Sequence, residues 1–443
     1  MRSVTGSART NWFLPSHAML TLAKQAALPR RASSRAFASA SSSSRRRRRR
    51  RRRRDTLDRI THVVQRDEGG RGIAPLVQAA SAAHALPGPL GCIATDLLAS
   101  KHVTLVTGFP LFTELTPPTE TDGPPGIAAV AMALKLLGID ATVVTDACNG
   151  EVVQACLNGR LDASIVKGEC GDGEGGVSAG SGEEEGVGGG HSDDVDDSRP
   201  YFGAGGEGGD GTVTMQAFPG LDDWSERDDV LLAELYNSCD HILALERAGL
   251  AADGVGYTMR GIALSPKHLA PLERLFDHSL LKGHDLAVHD RTVESGAAFR
   301  RRRRETETAA ADARVRTSGV GDGGNEIGMG KITEAVHSNI TNGTKIGCVT
   351  PTDNLLVCSV SNWGGYAIAA ALEASIDASR RSAIGRSLLP TPEEAATVIE
   401  ACVAAGARDG VTGEMEATVD GMSLEANVNI IRELGTALRE VKE

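Results

Sequence analysis

No run of about 18 consecutive apolar residues occurs in the 443-residue chain, so a soluble mature protein without a membrane-spanning helix is expected. The eight cysteines, at 92, 148, 156, 170, 239, 348, 358 and 402, never form a C-x-x-C pair. That argues against a disulfide framework or a zinc site and for buried thiols in a reducing compartment. The eleven histidines lack metalloprotease spacing, and neither a Walker loop nor a dinucleotide-binding G-x-G-x-x-G is present. The most local absence is that of acid: residues 1–54 contain 15 Arg and one Lys but no Asp or Glu.

The remainder is its opposite, with 31 basic and 58 acidic residues, so the net charge of −11 describes neither part. An acid-free, Arg- and Ser-rich leader with scattered apolar residues fits an organellar transit peptide, directed to the mitochondrial matrix or, as the alternative, to a plastid. The ten consecutive arginines Arg45 to Arg54 lack the aromatic or glycine interleaving of an RNA-binding tail, so no nucleic-acid partner is expected. Residues 55–91 read as a helical or poorly ordered extension, and 92–443 as the domain proper. Two interruptions fall within that domain. Residues 168–211 are dominated by Gly, Glu and Asp, too polar to offset their ordering entropy, and 299–315 join an arginine run to an Ala-, Glu- and Thr-rich stretch.

Outside these breaks, short β-branched runs alternate with helical patterns. Strands are expected at His102–Thr107, Ala141–Thr145, Ala163–Val166, His241–Leu245, Thr317–Gly321, Ile346–Val349 and Leu355–Ser359. Helices are expected at Gly126–Leu137, Asp228–Cys239, Pro266–Leu281, Gly365–Ser379, Pro392–Ala405 and Leu424–Val441. Strand, helix, strand at this spacing implies parallel pairing through crossover helices, hence a Rossmann-like three-layer α/β fold with a mostly parallel sheet. In such sheets ligands bind beyond the carboxyl ends of the strands.

That rule directs attention to the loops. The run from Gly319 to Lys331 surrounds Asp322, Asn325, Glu326 and Lys331 with glycines, including Gly321, Gly323, Gly324, Gly328 and Gly330. Glycine at this density lets main-chain N–H groups approach a ligand, and the polar residues supply acid, amide and ammonium. Ile332, Val336 and Ile340 then follow at helical spacing, placing the loop at a helix N-terminus where an anionic group can sit. A second polar loop carries Thr119, Glu120 and Asp122. Asp146 ends one strand, Glu246 and Arg247 end another, and Ser361-Asn362-Trp363-Gly364-Gly365 leads from a strand into a helix. Asp122 is as readily a cap for the helix at Gly126 as a ligand, and Trp363 as readily a packing wedge as a stacking face.

Gly321 to Lys331, Pro117 to Gly126 and Ser361 to Gly365 together resemble the hallmark motifs of the D-glutamate cyclase-like C-terminal domain family. Weaker similarities lie at Ile242 to Arg247, Asp253 to Gly261, and Asp409-Gly410-Val411 with Val419-Asp420-Gly421. The resemblance implies a hydro-lyase that converts D-glutamate to 5-oxo-D-proline with loss of water. The two-part animal relatives are mitochondrial and place a hydro-lyase-like half before this domain, so a homo-oligomer or a partner hydro-lyase-like subunit is an expected assembly. Under that reading Glu326 or Asp322 acts as base, the glycine-loop N–H groups hold the developing oxyanion, and Lys331 or Arg247 holds a substrate carboxylate. No cofactor is expected, although Asp122, Asp146, Asp322 and Glu326 can also gather a magnesium ion for a phosphorylated metabolite. A noncatalytic domain that binds an acidic amino acid or a nucleotide is the third reading.

Overall fold

A computed structural model of the full chain describes residues 33–84, 88–160, 210–276 and 315–439. The chain divides into two compact units, Met1–Arg50 and Arg51–Glu443. Helix α1 (Ser33–Val64) opens the described chain. α2 (Ala74–Ala82) and α3 (Pro89–Ala99) follow, each with a proline in its first turn, where the missing N–H costs nothing.

Six strands build the second unit: β1 (His102–Gly108), β2 (Asp140–Asp146), β3 (Val213–Phe218), β4 (His241–Arg247), β5 (Arg316–Gly321) and β6 (Asn354–Val357). They pair in parallel throughout, in the spatial order β3-β2-β1-β4-β5-β6. This is the doubly wound α/β order, which reverses direction between β1 and β4 and opens a crevice at their carboxyl ends. The expected fold class is therefore the observed one.

Strand alternation supplies both faces with apolar side chains. Val103 and Leu105 of β1, Ala141 and Val143 of β2, and Leu243 and Leu245 of β4 join one cluster. It is completed by helices α4 (Pro124–Leu136), α5 (Gly150–Arg160), α9 (Ser361–Ser375), α11 (Pro392–Ala404) and α12 (Leu424–Arg439), and by Leu57, Ile60 and Val64 of α1. The intervening Val106, Val144, Ile242 and Ala244 face the other way, against α6 (Glu226–Ser238) and the segment from Ala270 to Phe276. A third cluster joins α2 to α7 (Thr333–Asn339) and β6. Every residue of helix α4 from Pro124 to Leu134 is buried. It packs on the sheet beside α9, and small residues make the close approach possible: a Cβ on Gly365 would lie 2.5 Å from the Gly126 carbonyl oxygen.

Four element expectations change. The region Ile346–Val349 is not a strand; α8 (Gly343–Ile346) precedes it, and its N–H groups bond to Gly324 and Leu250 because β6 already occupies the sheet beside β5. From Pro266 to Phe276 the chain makes turns and a 3₁₀ segment (Leu272–Phe276) rather than a helix. There the Ala270 N–H is taken by Asp146 and its carbonyl by Arg247. The expected helix Gly365–Ser379 begins four residues earlier as α9 and stops at Ser375, after which Asp377 caps α10 (Ala378–Ile384). Strand β3, unexpected from sequence, is an edge strand with a half-buried middle. Residues 1–32 of the leader, the strand at Ala163–Val166, the interruptions at 168–209 and 299–314, the helix beyond Phe276 and Val441 lie outside the described residues. Among the described residues no helix is long and apolar enough to cross a membrane.

Candidate active site

Two loops beyond the sheet's carboxyl rim are tied to each other by reciprocal capping. The Asp122 carboxylate, in the loop after β1, accepts N–H bonds from Ser361 at 2.8 Å and Asn362 at 2.7 Å, the first residues of α9. In return Asn362 Oδ1 accepts from Gly123 at 3.0 Å and Gly126 at 2.7 Å, the start of α4, while its amide donates to the Thr121 carbonyl. Asp122 is therefore a cap after all, but for α9 rather than for its own helix. Each side chain satisfies helix-end donors that the other helix leaves open.

Around this clasp the carboxylates gather. Asp122, Glu246 and Asp322 each present an oxygen within 4.8 Å of the others, and all three are buried. Glu120 and Asp420 belong to the same electrostatic neighbourhood. Burial first, and then mutual repulsion, holds the carboxyls of Glu120, Asp122, Glu246 and Asp322 well above the ordinary carboxylate range. Among the described residues, Arg71 pairs with Asp322 and with Asp420, each at 2.7 Å. Burial works against its charge, and the two carboxylates outweigh that effect. Its side chain remains 25 % exposed.

Other anticipated ligands are committed elsewhere. Arg247 and Asp146 are fully buried and form a two-pronged ion pair; Arg247 also donates to the Gly108 and Ala270 carbonyls, and Asp146 also accepts from Ala270 N–H and Asn149. This pair ties the ends of β1, β2 and β4 together at the crevice. Thr119 donates to Asn149 at 2.6 Å and so buttresses the same knot. Trp363 lies in the core with its indole N–H on Asn427, and Gly364 lets α9 approach Val320. Lys331 donates to the Thr352 and Asp353 carbonyls, just before β6 begins, away from the carboxylate cluster.

The glycine loop holds an anion, and the anion is its own. Glu326 accepts N–H bonds from Asp322 at 3.1 Å, Gly323 at 2.6 Å and Gly324 at 2.7 Å. Gly324 adopts φ +107, which a side-chain-bearing residue would resist. The donors expected to cradle an oxyanion are thus already occupied, and Glu326 shapes the loop that presents Asp322. Asn325 donates to the Tyr257 carbonyl and fixes the neighbouring segment. Gly328 packs against Gly319 and Gly330 against Val349, on the strand side of the loop. The helix that follows, α7, is only seven residues long.

The sequence matches the D-glutamate cyclase-like, C-terminal family over residues 60–296 and 304–435. The chain belongs to that family. Human mitochondrial D-glutamate cyclase is 28 % identical over 274 residues, a match covering 62 % of this chain and 33 % of the human protein. The chain thus spans about a third of that relative's length. Three residues of this cluster were not among the anticipated ligands: Glu246, Asp420 and Arg71. Glu246 ends β4 at the crevice, where the carboxyl-end rule already pointed. Asp420 sits in a loop shaped by Asp409, whose carboxylate accepts N–H bonds from Val411, Thr412 and Gly421. Arg71 stands among Gly69, Gly70 and Gly72 before α2, and no local pattern in the sequence marks it.

Proposed function

We propose that this chain is a hydro-lyase of the D-glutamate cyclase type, closing D-glutamate to 5-oxo-D-proline. The observation that carries the reading is the rim itself, where Asp122 and Asp322, from two of the family motifs, gather with Glu246, and the partly exposed Arg71 pairs with Asp322 and Asp420. Ring closure forms a bond between the α-nitrogen and the γ-carboxyl carbon and breaks one C–O bond. Two protons leave the ammonium group and the departing oxygen gains two, so water is released without net proton change. A carboxyl group suits that traffic, because it can accept a proton from nitrogen and return one to oxygen. Asp322 and Glu120 are the groups we assign to it, and Arg71 to the substrate carboxylate, which guanidinium can grip with two parallel N–H bonds.

The test is incubation of the purified chain with D- and L-glutamate, following 5-oxoproline by chiral chromatography. Formation of the D-product alone is expected. Binding of D-glutamate without turnover would replace the enzyme with a noncatalytic acidic-amino-acid domain, and a folded chain that neither binds nor converts it would remove the reading. Residence in the mitochondrial matrix is proposed on the basic leader and on the human relative's mitochondrial name. Import into isolated mitochondria with loss of roughly the first 30 to 55 residues is the expected outcome; a tagged full chain that stays in the cytosol would contradict it.

A further inference from the structure

We infer that Asp122, Glu246 and Asp322 form the protein side of a binding site for one hard divalent cation of the magnesium or manganese type. They come from three separate places, the loop after β1, the end of β4 and the loop after β5, yet their ligand oxygens lie within 4.8 Å of one another. That is the span of a coordination sphere: opposite oxygens are about 4.2 Å apart around magnesium and about 4.8 Å around calcium. Within this set every donor is a carboxylate oxygen. Such a set favours magnesium, manganese or calcium over zinc or copper.

Acidic residues crowded together do not by themselves make a site, and the independent observation here is Glu246. Its side chain is buried, only 6 % exposed, and Oε2 has no hydrogen-bond partner. Asp420 Oδ2, on the same rim, is likewise buried without one. A buried carboxylate oxygen with nothing to accept forfeits its hydration, and a cation restores that loss. The other oxygens are compatible with a metal. Asp122 receives Gly123, Ser361 and Asn362 N–H bonds, which fix its orientation while leaving lone pairs, and only Asp322 Oδ2 is engaged by Arg71. Three protein oxygens leave the remaining positions of a six-coordinate ion to water or to ligand oxygens. That the ion admits a dicarboxylate rests on the cyclase reading; that it binds does not.

The experiment uses the full chain stripped with chelator, titrated with Mn2+ and followed by the electron paramagnetic resonance of the free ion, with melting temperatures in Mg2+, Mn2+, Ca2+ and Zn2+. One saturable Mn2+ per chain is expected, displaced by Mg2+, with a higher melting temperature in either. Glu246→Gln should weaken Mn2+ binding by about tenfold or more, roughly the effect of losing one charged ligand. Because the change also removes a repelling charge, the metal-free variant should melt at or above the parent, which separates lost binding from lost folding. Asp322→Asn is the second variant. Absence of saturable Mn2+ binding at millimolar concentration, or unchanged affinity in both variants, overturns the inference. No D-glutamate is present, so failure here is separate from failure of the turnover assay.

Discussion

Replacing Arg247 by methionine separates two readings of the same residue. As a substrate anchor, Arg247 would be dispensable for folding and needed for affinity. The structure instead has its guanidinium and the Asp146 carboxylate fully buried against each other, with further bonds to the Gly108 and Ala270 carbonyls. Methionine fills much of the volume but leaves Asp146 with only Asn149 and the Ala270 N–H. Removing one partner of a buried ion pair costs about 3–5 kcal/mol, because the remaining charge is uncompensated. With an unfolding entropy near 2.1 cal/mol/K per residue, a folded unit of this size should lose roughly 4–8 °C in Tm. Calorimetry and urea unfolding measure the change, and a double-mutant cycle with Asp146→Leu locates it. The double variant should be more stable than Arg247→Met alone, giving a coupling of about 2 kcal/mol or more. A Tm within about 1 °C of the parent together with a roughly tenfold loss of D-glutamate affinity would refute the reasoning and return Arg247 to the ligand.

Three further perturbations test other parts of the structure. Glu326→Gln places an amide donor against one of three backbone N–H groups, so a loss of about 1–3 kcal/mol is expected, with faster amide exchange at Gly323 and Gly324; unchanged stability with abolished turnover would make Glu326 a proton carrier instead. Gly365→Ala pushes a methyl to 2.5 Å from the Gly126 carbonyl oxygen, and urea unfolding should report a loss of about 1–3 kcal/mol or more as α4 and α9 are forced apart. His241 is buried and its imidazole is lowered from 6.5 to about 4. The unfolded chain therefore binds the proton first, so stability is fully present above pH 6.5 and is lost as pH falls towards 4, by about 3 kcal/mol for this group. His241→Gln should remove that component of the unfolding profile, and an identical pH dependence in both proteins would assign the acid sensitivity elsewhere.

The sequence alone determined the fold class, because strand and helix periods are local properties. Five of the six observed strands coincide with expected β-branched runs, and the helix expected at Gly126–Leu137 is present as α4 (Pro124–Leu136). It also directed attention to the loops beyond the carboxyl ends of the strands, where Asp122, Glu246 and Asp322 gather. What it could not determine was which polar groups remain for a ligand. Glu326, Arg247, Asp146 and Asn362 carry the residue types of a site, but most of their hydrogen bonds go to backbone, to each other or to Asn149. Tertiary structure makes that decision, because a buried polar group takes whatever partner the fold brings within 3 Å, regardless of its sequence neighbours. It also recruited Arg71 and Asp420, 349 positions apart, into one ion pair. No period or motif encodes such a meeting; only the packing of α2, β5 and the Asp409 loop around the rim brings the two charges together.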